Sequence, residues 1–391
     1  MNTPSSLTDL REAAGRLDPD RVGSALASGL DLWRAADSPW LARLARAHPV
    51  YSAAVLERGV RMGVQAWSAQ ALRQLATDAA RRGGPAPGLT AVWLAGSIPT
   101  ASFHALLLPL LAGSAVYGRP SSHDPASARL FTASLRAVDP GVADALEVGR
   151  DDTLLDQADA LVAYGSNETI ESLRGRAPAG CLFVGYGHKL SAAAVGPAAD
   201  LESAATAVAL DAALFDGRGC LSPAYVFVAQ DPQGRADRFA EHLADALGAL
   251  TETLPRGALS ATEQVALRER WAREALREGA RVLSPVPRTD WAVLLAPAGT
   301  WPEPGLLRFV PVLPVRDLDE LGTCCAQLHP HLSSLAHVGW EAGADELEKI
   351  VRRGGGARCC APGRLQAPPL DWRQDEREPL PLLLRKPRTT A

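Results

Sequence analysis

Apolar residues recur at three- and four-residue steps over the first 85 residues, and short apolar runs alternate with helix-like segments after them. The spacing is regular over residues 20–36 and 66–82, which predicts amphipathic helices. The stretch Arg81–Gly88 is rich in glycine and proline, which interrupt regular structure. Residues 1–85 are therefore predicted to form a helical N-terminal region that packs on the domain after it.

Five short apolar runs follow this linker, and helix-like segments separate them. The predicted strands are Thr90–Ala95, Ser114–Gly118, Ala145–Val148, Ala160–Tyr164 and Cys181–Tyr186. Alternating strands and helices are typical of an α/β fold with a doubly wound parallel sheet, here over residues 86–188. Ligands of such sheets bind beyond the carboxyl ends of the strands, so residues 95–99, 118–122 and 164–168 are the candidate binding turns.

A second α/β region is predicted over residues 189–362. Its first helix covers residues 201–216, with Asp200 as N-cap and Gly217 as the stop signal. A turn with Cys220 follows, and Ala224–Val228 leads away from it as a strand. Further strands are predicted at residues 290–296, 308–315 and 335–340, and further helices at 263–279 and 343–354. The tail, residues 363–391, is rich in proline and charge and is expected to wrap over another surface.

Charge and hydropathy argue against a nucleic-acid-binding protein, a secreted protein and a membrane-spanning protein. The formal net charge is −4, which argues against non-specific binding of nucleic acid. The N-terminus carries early acidic residues and lacks the apolar run of a secretory signal. The most apolar stretch, Phe103–Tyr117, is shorter than the roughly 20 residues that span a bilayer. A soluble, cytoplasmic protein without a membrane span is therefore expected.

The six cysteines do not have the spacing of a zinc site. Cys181 and Cys220 stand alone, and the other four form two adjacent pairs without any C-x-x-C motif, so no metal is expected. Adjacent cysteines in a reducing compartment are more often small buried residues than a bridge, although a vicinal redox pair stays open. A single cysteine such as Cys220 is also most often a small buried residue.

One of the candidate turns has the form of an anion site. Gly165 and Ser166 stand between a predicted strand and a predicted helix, where backbone N–H groups favour a pyrophosphate. Gly165 permits close approach of the phosphate, and the Ser166 hydroxyl is a donor. Any strand-to-helix turn can hold these residues for steric reasons, and the first strand lacks the G-x-G-x-x-G fingerprint of dinucleotide-binding folds.

The order of the motifs carries more information than each motif alone. The segments "GSIPTASFHALLLPLLAGSAVYGRPSSHDP", "VAYGSNETI", "VGYGHKLSAAAV", "LFDGRGCLSPAYVF" and "RFVPVLPV" follow one another as in the aldehyde dehydrogenase superfamily. The sequence resembles most closely the long-chain acyl-CoA reductase family of bacterial luminescence operons, from about Leu94 to Trp372. The most specific parts are "GYGHKLS", "GCLSP" and "PGRLQAPPLDW".

This resemblance implies an aldehyde-dehydrogenase-like architecture and a reaction. A doubly wound cofactor-binding domain (86–188) would be joined to a second α/β catalytic domain (189–362), with Cys220 as the thiolate nucleophile. The implied reaction is the NADPH-dependent reduction of an acyl thioester to an aldehyde. Thiolate exchange onto a thioester expels CoA and leaves an acyl-enzyme, which agrees with a cysteine at this place. A local positive field should favour the thiolate, and Arg218 is the candidate in the sequence, unless it is a solvated loop residue.

The resemblance also assigns residues to the cofactor. Gly96, Gly165 and Ser166 lie in the turns that hold it in the superfamily. Arg119 stands where a lysine usually faces the adenosine ribose, and Ser122 stands where NAD-preferring members often carry a glutamate. An arginine with a small hydroxyl suits a 2′-phosphate, which favours NADPH over NADH. The alternative is that Arg119 is an exposed arginine in a proline turn.

Three positions depart from the aldehyde-oxidising members or substitute for their residues. Gly185 replaces the glutamate that activates water, which favours a reductase over an acid-forming dehydrogenase. His188 is a substitute acid or base, or a structural histidine. Ser97 stands where the superfamily places the asparagine of the oxyanion site; serine can still donate one hydrogen bond over a shorter reach, whereas complete loss of such a donor costs about 3 kcal/mol of transition-state stabilisation. Either Ser97 approaches more closely, or backbone N–H groups suffice, or the enzyme is slow or inactive.

Two alternatives to the reductase stay open. One is a CoA-acylating aldehyde dehydrogenase that runs in the oxidative direction. The other is a catalytically weak or dead member that binds nucleotide or a partner reductase. The expected substrate is an acyl-CoA or an acyl-carrier protein with an unidentified acyl group. An enzyme that delivers the acyl group is a candidate partner. The resemblance also implies a homo-oligomer.

Overall fold

The structure is a computed structural model that describes residues 7–82, 84–96, 98–341 and 344–378, together with 380 and 383. Within them, the helices are α1 (Leu7–Gly15), α2 (Pro19–Arg34), α3 (Pro39–Ala47), α4 (Ala53–Val64), α5 (Ala69–Arg82), α6 (Pro99–Leu111), α7 (Ser127–Val138), α8 (Pro140–Ala143), α9 (Asn167–Arg176), α10 (Leu201–Ala213), α11 (Arg235–Thr253), α12 (Ala261–Ala275), α13 (Leu318–Gln327) and α14 (Ala344–Arg353). The strands are β1 (Leu89–Trp93), β2 (Ala115–Arg119), β3 (Leu146–Val148), β4 (Ala160–Tyr164), β5 (Leu182–Tyr186), β6 (Leu190–Val195), β7 (Pro223–Ala229), β8 (Arg281–Leu283), β9 (Ala292–Leu295), β10 (Phe309–Val315), β11 (Leu332–Val338) and β12 (Arg358–Cys360). Short 3-10 turns cover Asp152–Gln157, Leu214–Gly217 and Gln374–Glu376.

The first sheet has the order β3-β2-β1-β4-β5, and all of its strands are parallel. The order reverses at β1, because the chain moves outward to β3 on one side and then returns to β4 on the other. This is the doubly wound sheet that the sequence predicts, and its strands lie within two residues of the predicted bounds. The carboxyl ends of β1, β2 and β4 therefore form one edge, which carries the three candidate turns.

The second sheet has the order β12-β11-β6-β7-β10-β9-β8 and is parallel except for β8. Its strand β6 was not predicted, because its centre is three alanines, which are poor strand formers. Those alanines are fully buried and pack into the cores on both faces of the sheet. Because small apolar side chains lie on both faces, the sequence of β6 shows no alternation of apolar and polar residues, and a strand is not predicted there. The short strands β8 and β12 and the helices α11 and α13 were also not predicted.

The N-terminal helices share one core with the first sheet. The Trp33 ring on α2 lies 4.7 Å from Phe103 on α6, which lies 4.9 Å from Phe131 on α7. The buried Trp33 indole donates to Ser134 Oγ at 2.9 Å. Such buried aromatic contacts make the N-terminal helices part of the support of the first sheet.

The segment after the second sheet returns to the first. Leu370, Leu380 and Leu383 are buried in the core of the first sheet, and Trp67 Nε1 donates to the Pro368 carbonyl at 3.1 Å. The domain boundaries at residues 85, 188 and 362 stay predictions. Among the described residues, every helix is too short or too polar to cross a bilayer.

Candidate active site

The turn that carries Cys220 begins with an abrupt end of α10. Asp200 caps this helix as predicted, since its side chain accepts from the Ser203 N–H at 2.9 Å. The predicted end at residue 216 is wrong, because the helix stops at Ala213 and Phe215, Asp216 and Gly217 are left-handed, with φ of 50°, 53° and 67°. The left-handed conformation costs a non-glycine residue about 1–2 kcal/mol. Tertiary contacts must therefore hold this turn.

A buried ion pair supplies those contacts. Asp216 Oδ1 accepts from Arg308 Nε at 2.9 Å, and both side chains have 1% exposure or less. Asp216 Oδ2 accepts from the Gly257 N–H at 3.0 Å. Arg308 also donates to the carbonyls of Leu254 at 2.9 Å and Ala213 at 3.1 Å. Buried charges persist where they are paired and fully hydrogen-bonded, so this cluster fixes the turn that precedes Cys220.

Cys220 itself is exposed. Its carbonyl accepts from Ser191 Oγ at 2.8 Å, and two residues later Ser222 Oγ accepts from Gln366 Nε2 at 3.0 Å. The alternative that Cys220 is a small buried residue is therefore wrong. Protein atoms nevertheless surround the thiol, and this desolvation, with the charge of Asp375, raises the pKa of Cys220 to about 11.

The positive group near the thiol is Lys189, and the prediction of Arg218 for this place is wrong. Arg218 donates to Glu263 Oε1 on α12 at 2.9 Å, so its charge is engaged there. Lys189 lies in the connection between β5 and β6, and its charge lowers the pKa of Cys220. Its ammonium is paired with Asp375 at 3.2 Å. The motif "GYGHK" contains Lys189, but no sequence pattern pointed to Asp375, which comes from the tail.

The turn after β1 meets the Cys220 turn. Ser97, the predicted oxyanion donor, lies outside the described residues, but its neighbours Gly96 and Ile98 are described. A Cβ at Gly219 would lie 2.9 Å from Ile98 Cδ1, so the two turns are in contact. A Cβ at Gly96 would collide with the Ser121 side chain in the turn after β2. The absence of side chains at Gly96 and Gly219 therefore lets three turns approach one another.

Arg119 lies at the end of β2, and its side chain contacts an aromatic ring and a carboxylate. Its guanidinium lies 4.1 Å from the Trp93 ring centre, and Nε donates to Asp152 Oδ1 at 3.1 Å. Its side chain is 22% exposed, so Arg119 is not a free arginine in a proline turn. Ser122 is exposed in the same turn. The structure thus holds a guanidinium near the predicted ribose position, with a carboxylate facing it.

The turn after β4 has the predicted strand–turn–helix form. Ser166 is the N-cap of α9, and its Oγ accepts from the Thr169 N–H at 3.3 Å. A Cβ at Gly165 would lie 3.2 Å from Thr169, so this turn is tight. A hydrogen bond from Ser166 lowers the pKa of Glu168 in the first turn of the helix. The α9 N-terminus therefore already stabilises one negative charge.

Gly185 is the next-to-last residue of β5, and His188 lies in the connection that follows this strand. A Cβ at Gly185 would lie 2.6 Å from Ile170 Cγ2 on α9, so a glutamate does not fit there without movement of Ile170. His188 is exposed, its carbonyl contacts His331 Nδ1 at 3.1 Å, and the two rings lie 5.9 Å apart. These contacts place the His188 ring beside His331, and none of them joins it to Cys220.

Cys220 lies between the two sheets. It precedes β7 and contacts Ser191 at the start of β6, so it lies at the amino ends of second-sheet strands. A thiolate at Cys220 would raise the pKa of Tyr164, the last residue of β4, whose ring stacks on Tyr186 of β5 at 4.9 Å. The carboxyl edge of the first sheet therefore faces the amino edge of the second across the thiol. Among the described residues, no group of His, Cys, Asp and Glu has the arrangement of a metal site.

Known proteins resemble this chain in sequence. Residues 73–385 match the profile of the acyl-CoA reductase (LuxC) family. The long-chain acyl-protein thioester reductase of Vibrio harveyi is 27% identical over 245 residues, which are 60% of this chain and 50% of that protein. The reductase of the same description from Aliivibrio fischeri is 25% identical over 278 residues, 68% of this chain and 57% of that protein. The chain thus spans about half the length of these relatives.

Solved aldehyde dehydrogenases share the fold. NADP-dependent glyceraldehyde-3-phosphate dehydrogenase from Bacillus halodurans superposes with a TM-score of 0.69 at 15% identity, over 97% of this chain and 88% of that chain. An aldehyde dehydrogenase from Mycobacterium tuberculosis gives a TM-score of 0.67 at 15% identity, over 91% and 81%. The predicted aldehyde-dehydrogenase-like α/β fold is confirmed. Because the family profile matches most of the chain, the resemblance seen in the sequence is also confirmed, and the chain belongs to the acyl-CoA reductase (LuxC) family.

Proposed function

We propose that this protein reduces an acyl thioester to an aldehyde with NADPH, through an acyl-enzyme on Cys220. The observation that carries this proposal is a cysteine at an exposed position, at the end of a turn that a buried ion pair fixes. The thiol lies where the carboxyl edge of one sheet faces the amino edge of the other. Ligands of parallel sheets bind at such carboxyl edges, so a cofactor there would lie beside the sulfur.

The chemistry of Cys220 follows from its surroundings. Its thiolate attacks the thioester carbonyl, the bond to the leaving thiol breaks, and an acyl-enzyme forms. Desolvation keeps the thiol protonated at neutral pH, and the charge of Lys189 opposes this effect. Since only the thiolate is an effective nucleophile, the balance of these two effects controls the rate of acylation.

The missing glutamate favours reduction over hydrolysis. An acyl-enzyme is hydrolysed when a base activates water. Gly185 carries no base, and Ile170 fills the space into which a side chain at this position would point. An acyl group on Cys220 would therefore survive until it is reduced or returned to a thiol. Catalytic roles for Ser97 and His188 stay predictions, because Ser97 is not described and His188 contacts His331.

The residues at the carboxyl edge fit a phosphorylated dinucleotide. Arg119, which also pairs with Asp152, would bind the 2′-phosphate through its guanidinium, with Ser122 exposed in the same turn. The α9 N-terminus with Gly165 and Ser166 would hold the pyrophosphate. Gly96 lets the turn after β1 approach the same edge. NADPH, when bound, supplies the hydride that converts an acyl-enzyme to an aldehyde. The names of the relatives favour an acyl group carried by a protein, although acyl-CoA contains the same thioester.

Intact-mass spectrometry tests the proposal. The protein is incubated without NADPH with a series of acyl-CoA and acyl-carrier-protein thioesters, and the mass gain is located after digestion. We expect one acyl group on Cys220, loss of this label in Cys220→Ala, and retention in Cys181→Ala, which removes another cysteine side chain. NADPH oxidation should require the thioester and should stop in Cys220→Ala. An acylated Cys220→Ala protein would contradict the assignment, and NADPH binding without turnover of any thioester would favour a non-catalytic member.

A further inference from the structure

The ion pair between Lys189 and Asp375 is nearly buried, and Lys189 stands two residues before Ser191, whose Oγ donates to the Cys220 carbonyl at 2.8 Å. Lys189 Nζ is 3.2 Å from Asp375 Oδ1, and the two side chains are 14% and 15% exposed. Nζ also donates to the Pro330 carbonyl at 2.7 Å. The pair joins the connection between the sheets to the tail, two segments that are 186 positions apart. Surface ion pairs contribute little to stability, but a pair this sheltered acts strongly on its neighbours because water screens it poorly.

The tail holds Asp375 in place on both sides. Arg377 donates to the Gly185 carbonyl at 3.1 Å, and its guanidinium lies 5.9 Å from the Tyr186 ring. Leu380 is buried in the core of the first sheet, and Trp372 is buried before the turn. Asp375 has a left-handed backbone with φ of 56°. This turn directs a carboxylate toward the connection between β5 and β6.

Among the described residues, few charged groups affect the pKa of the Cys220 thiol. Tyr164 lies within reach of the thiol and stacks on Tyr186, and burial raises the pKa of both phenols, that of Tyr186 to about 12. Both are therefore neutral at physiological pH. Arg218 is engaged with Glu263. In the part of the chain that the structure describes, the charges that still act on the thiol are that of Lys189, which lowers its pKa, and that of Asp375, which raises it.

We propose that Asp375 is a positioning residue that controls the reactivity of Cys220 by neutralising the ammonium of Lys189. This inference rests on the proposed function only in taking Cys220 as the nucleophile. With the ion pair closed, the thiol keeps its proton. When the tail withdraws or Asp375 loses its charge, Lys189 stabilises the thiolate and the thiol proton passes to solvent, which Cys220 reaches.

The rate of alkylation of Cys220 by iodoacetamide tests this inference without any substrate. The rate is followed between pH 7 and 9.5 by the mass of the peptide that contains Cys220, in the full chain. A decrease of one unit in the pKa raises the thiolate fraction about tenfold, and the lower nucleophilicity removes about a factor of three. We expect Asp375→Asn to react about threefold faster at each pH. Asparagine tolerates the left-handed conformation, so the backbone is preserved.

Three further variants separate charge from structure. Glu376→Gln removes the same charge from the adjacent, exposed residue, which is also left-handed, and should react as the wild type does. Lys189→Gln should react more slowly than the wild type, and Lys189→Arg should restore the rate. Merely structural damage would change the rates of Asp375→Asn and Lys189→Gln in the same direction.

Two results would overturn the inference. One is a shift of equal sign in Asp375→Asn and Lys189→Gln, and the other is an Asp375→Asn profile that coincides with that of Glu376→Gln. If Asp375→Asn fails to fold, the Lys189 variants still decide, because a neutral residue 189 that does not slow alkylation contradicts the inference. Acylation of Cys220→Ala would refute the proposed function and leave these alkylation profiles unaffected, so the two failures are distinguishable.

Discussion

Removal of the Asp216 carboxylate should destabilise the protein strongly, because Arg308 would stay buried without its counter-charge. In Asp216→Ala, the bonds from Arg308 Nε and from the Gly257 N–H are both lost. Breaking a buried ion pair by removal of one partner costs about 3–5 kcal/mol. Alanine in a left-handed conformation adds about 1 kcal/mol. Arg308 keeps its bonds to the carbonyls of Leu254 and Ala213, which limits the loss.

The expected loss is therefore about 4 kcal/mol, a large part of the roughly 5–15 kcal/mol that stabilises a typical domain. Urea unfolding at pH 7.5, followed by tryptophan fluorescence, measures it. Asp144→Ala is the matched control, since Asp144 forms an exposed ion pair with Arg136 and should lose less than about 1 kcal/mol. Folded Asp216→Ala protein should also acylate Cys220 more slowly, because the turn before Cys220 is no longer fixed. A loss equal to that of the control would refute the role of the buried pair.

Three further perturbations follow from the contacts. Burial raises the pKa of Asp211 to about 7 from an ordinary 3.8, so the folded state holds a proton that the unfolded chain releases. The stability of the wild type relative to Asp211→Asn should therefore fall by up to about 4 kcal/mol between pH 4 and 7 and then stay level, and a pH-independent difference would contradict this. Gly185→Ala should cost about 1–3 kcal/mol in thermal or urea unfolding through its clash with Ile170 Cγ2, and Ile170→Ala, which removes that atom, should cost less in the Gly185→Ala background than in the wild type; an additive double variant would argue against the contact. Asp152→Asn should leave Arg119 free for a 2′-phosphate and raise the ratio of kcat/KM for NADPH to that for NADH several-fold, whereas an unchanged ratio would exclude competition by Asp152.

All five strands of the first sheet and four of the seven described strands of the second were predicted from the sequence. The strands of the first sheet are apolar runs with clear turn signals between them, so their bounds were found to within two residues. Strand β6 was missed, because three consecutive alanines lack the branched side chains that mark a strand. The end of α10 was placed three residues late, because Arg308, 92 positions away, imposes the left-handed turn. Local patterns do not contain such distant contacts.

The candidate site shows the same division. The sequence placed Cys220 in a turn between a helix and a strand, and the structure agrees. Ser166 was assigned as a donor in an anion site, whereas the structure shows it as the N-cap of α9. The cation near the thiol was assigned to Arg218 because it is close in sequence, whereas the fold brings Lys189 there and directs Arg218 to Glu263. Proximity along the chain is a poor guide where two sheets meet.

The described chain passes between the two sheets at only two places, residues 187–189 and the stretch that leads from β12 to Leu370. The ion pair of Lys189 and Asp375 ties these two crossings together. A hinge motion that widened the gap between the sheets would pull on both crossings and would change the separation of ammonium and carboxylate. The pKa of the Cys220 thiol would then depend on the angle between the sheets. Opening of the cleft between them would at the same time increase the reactivity of the sulfur.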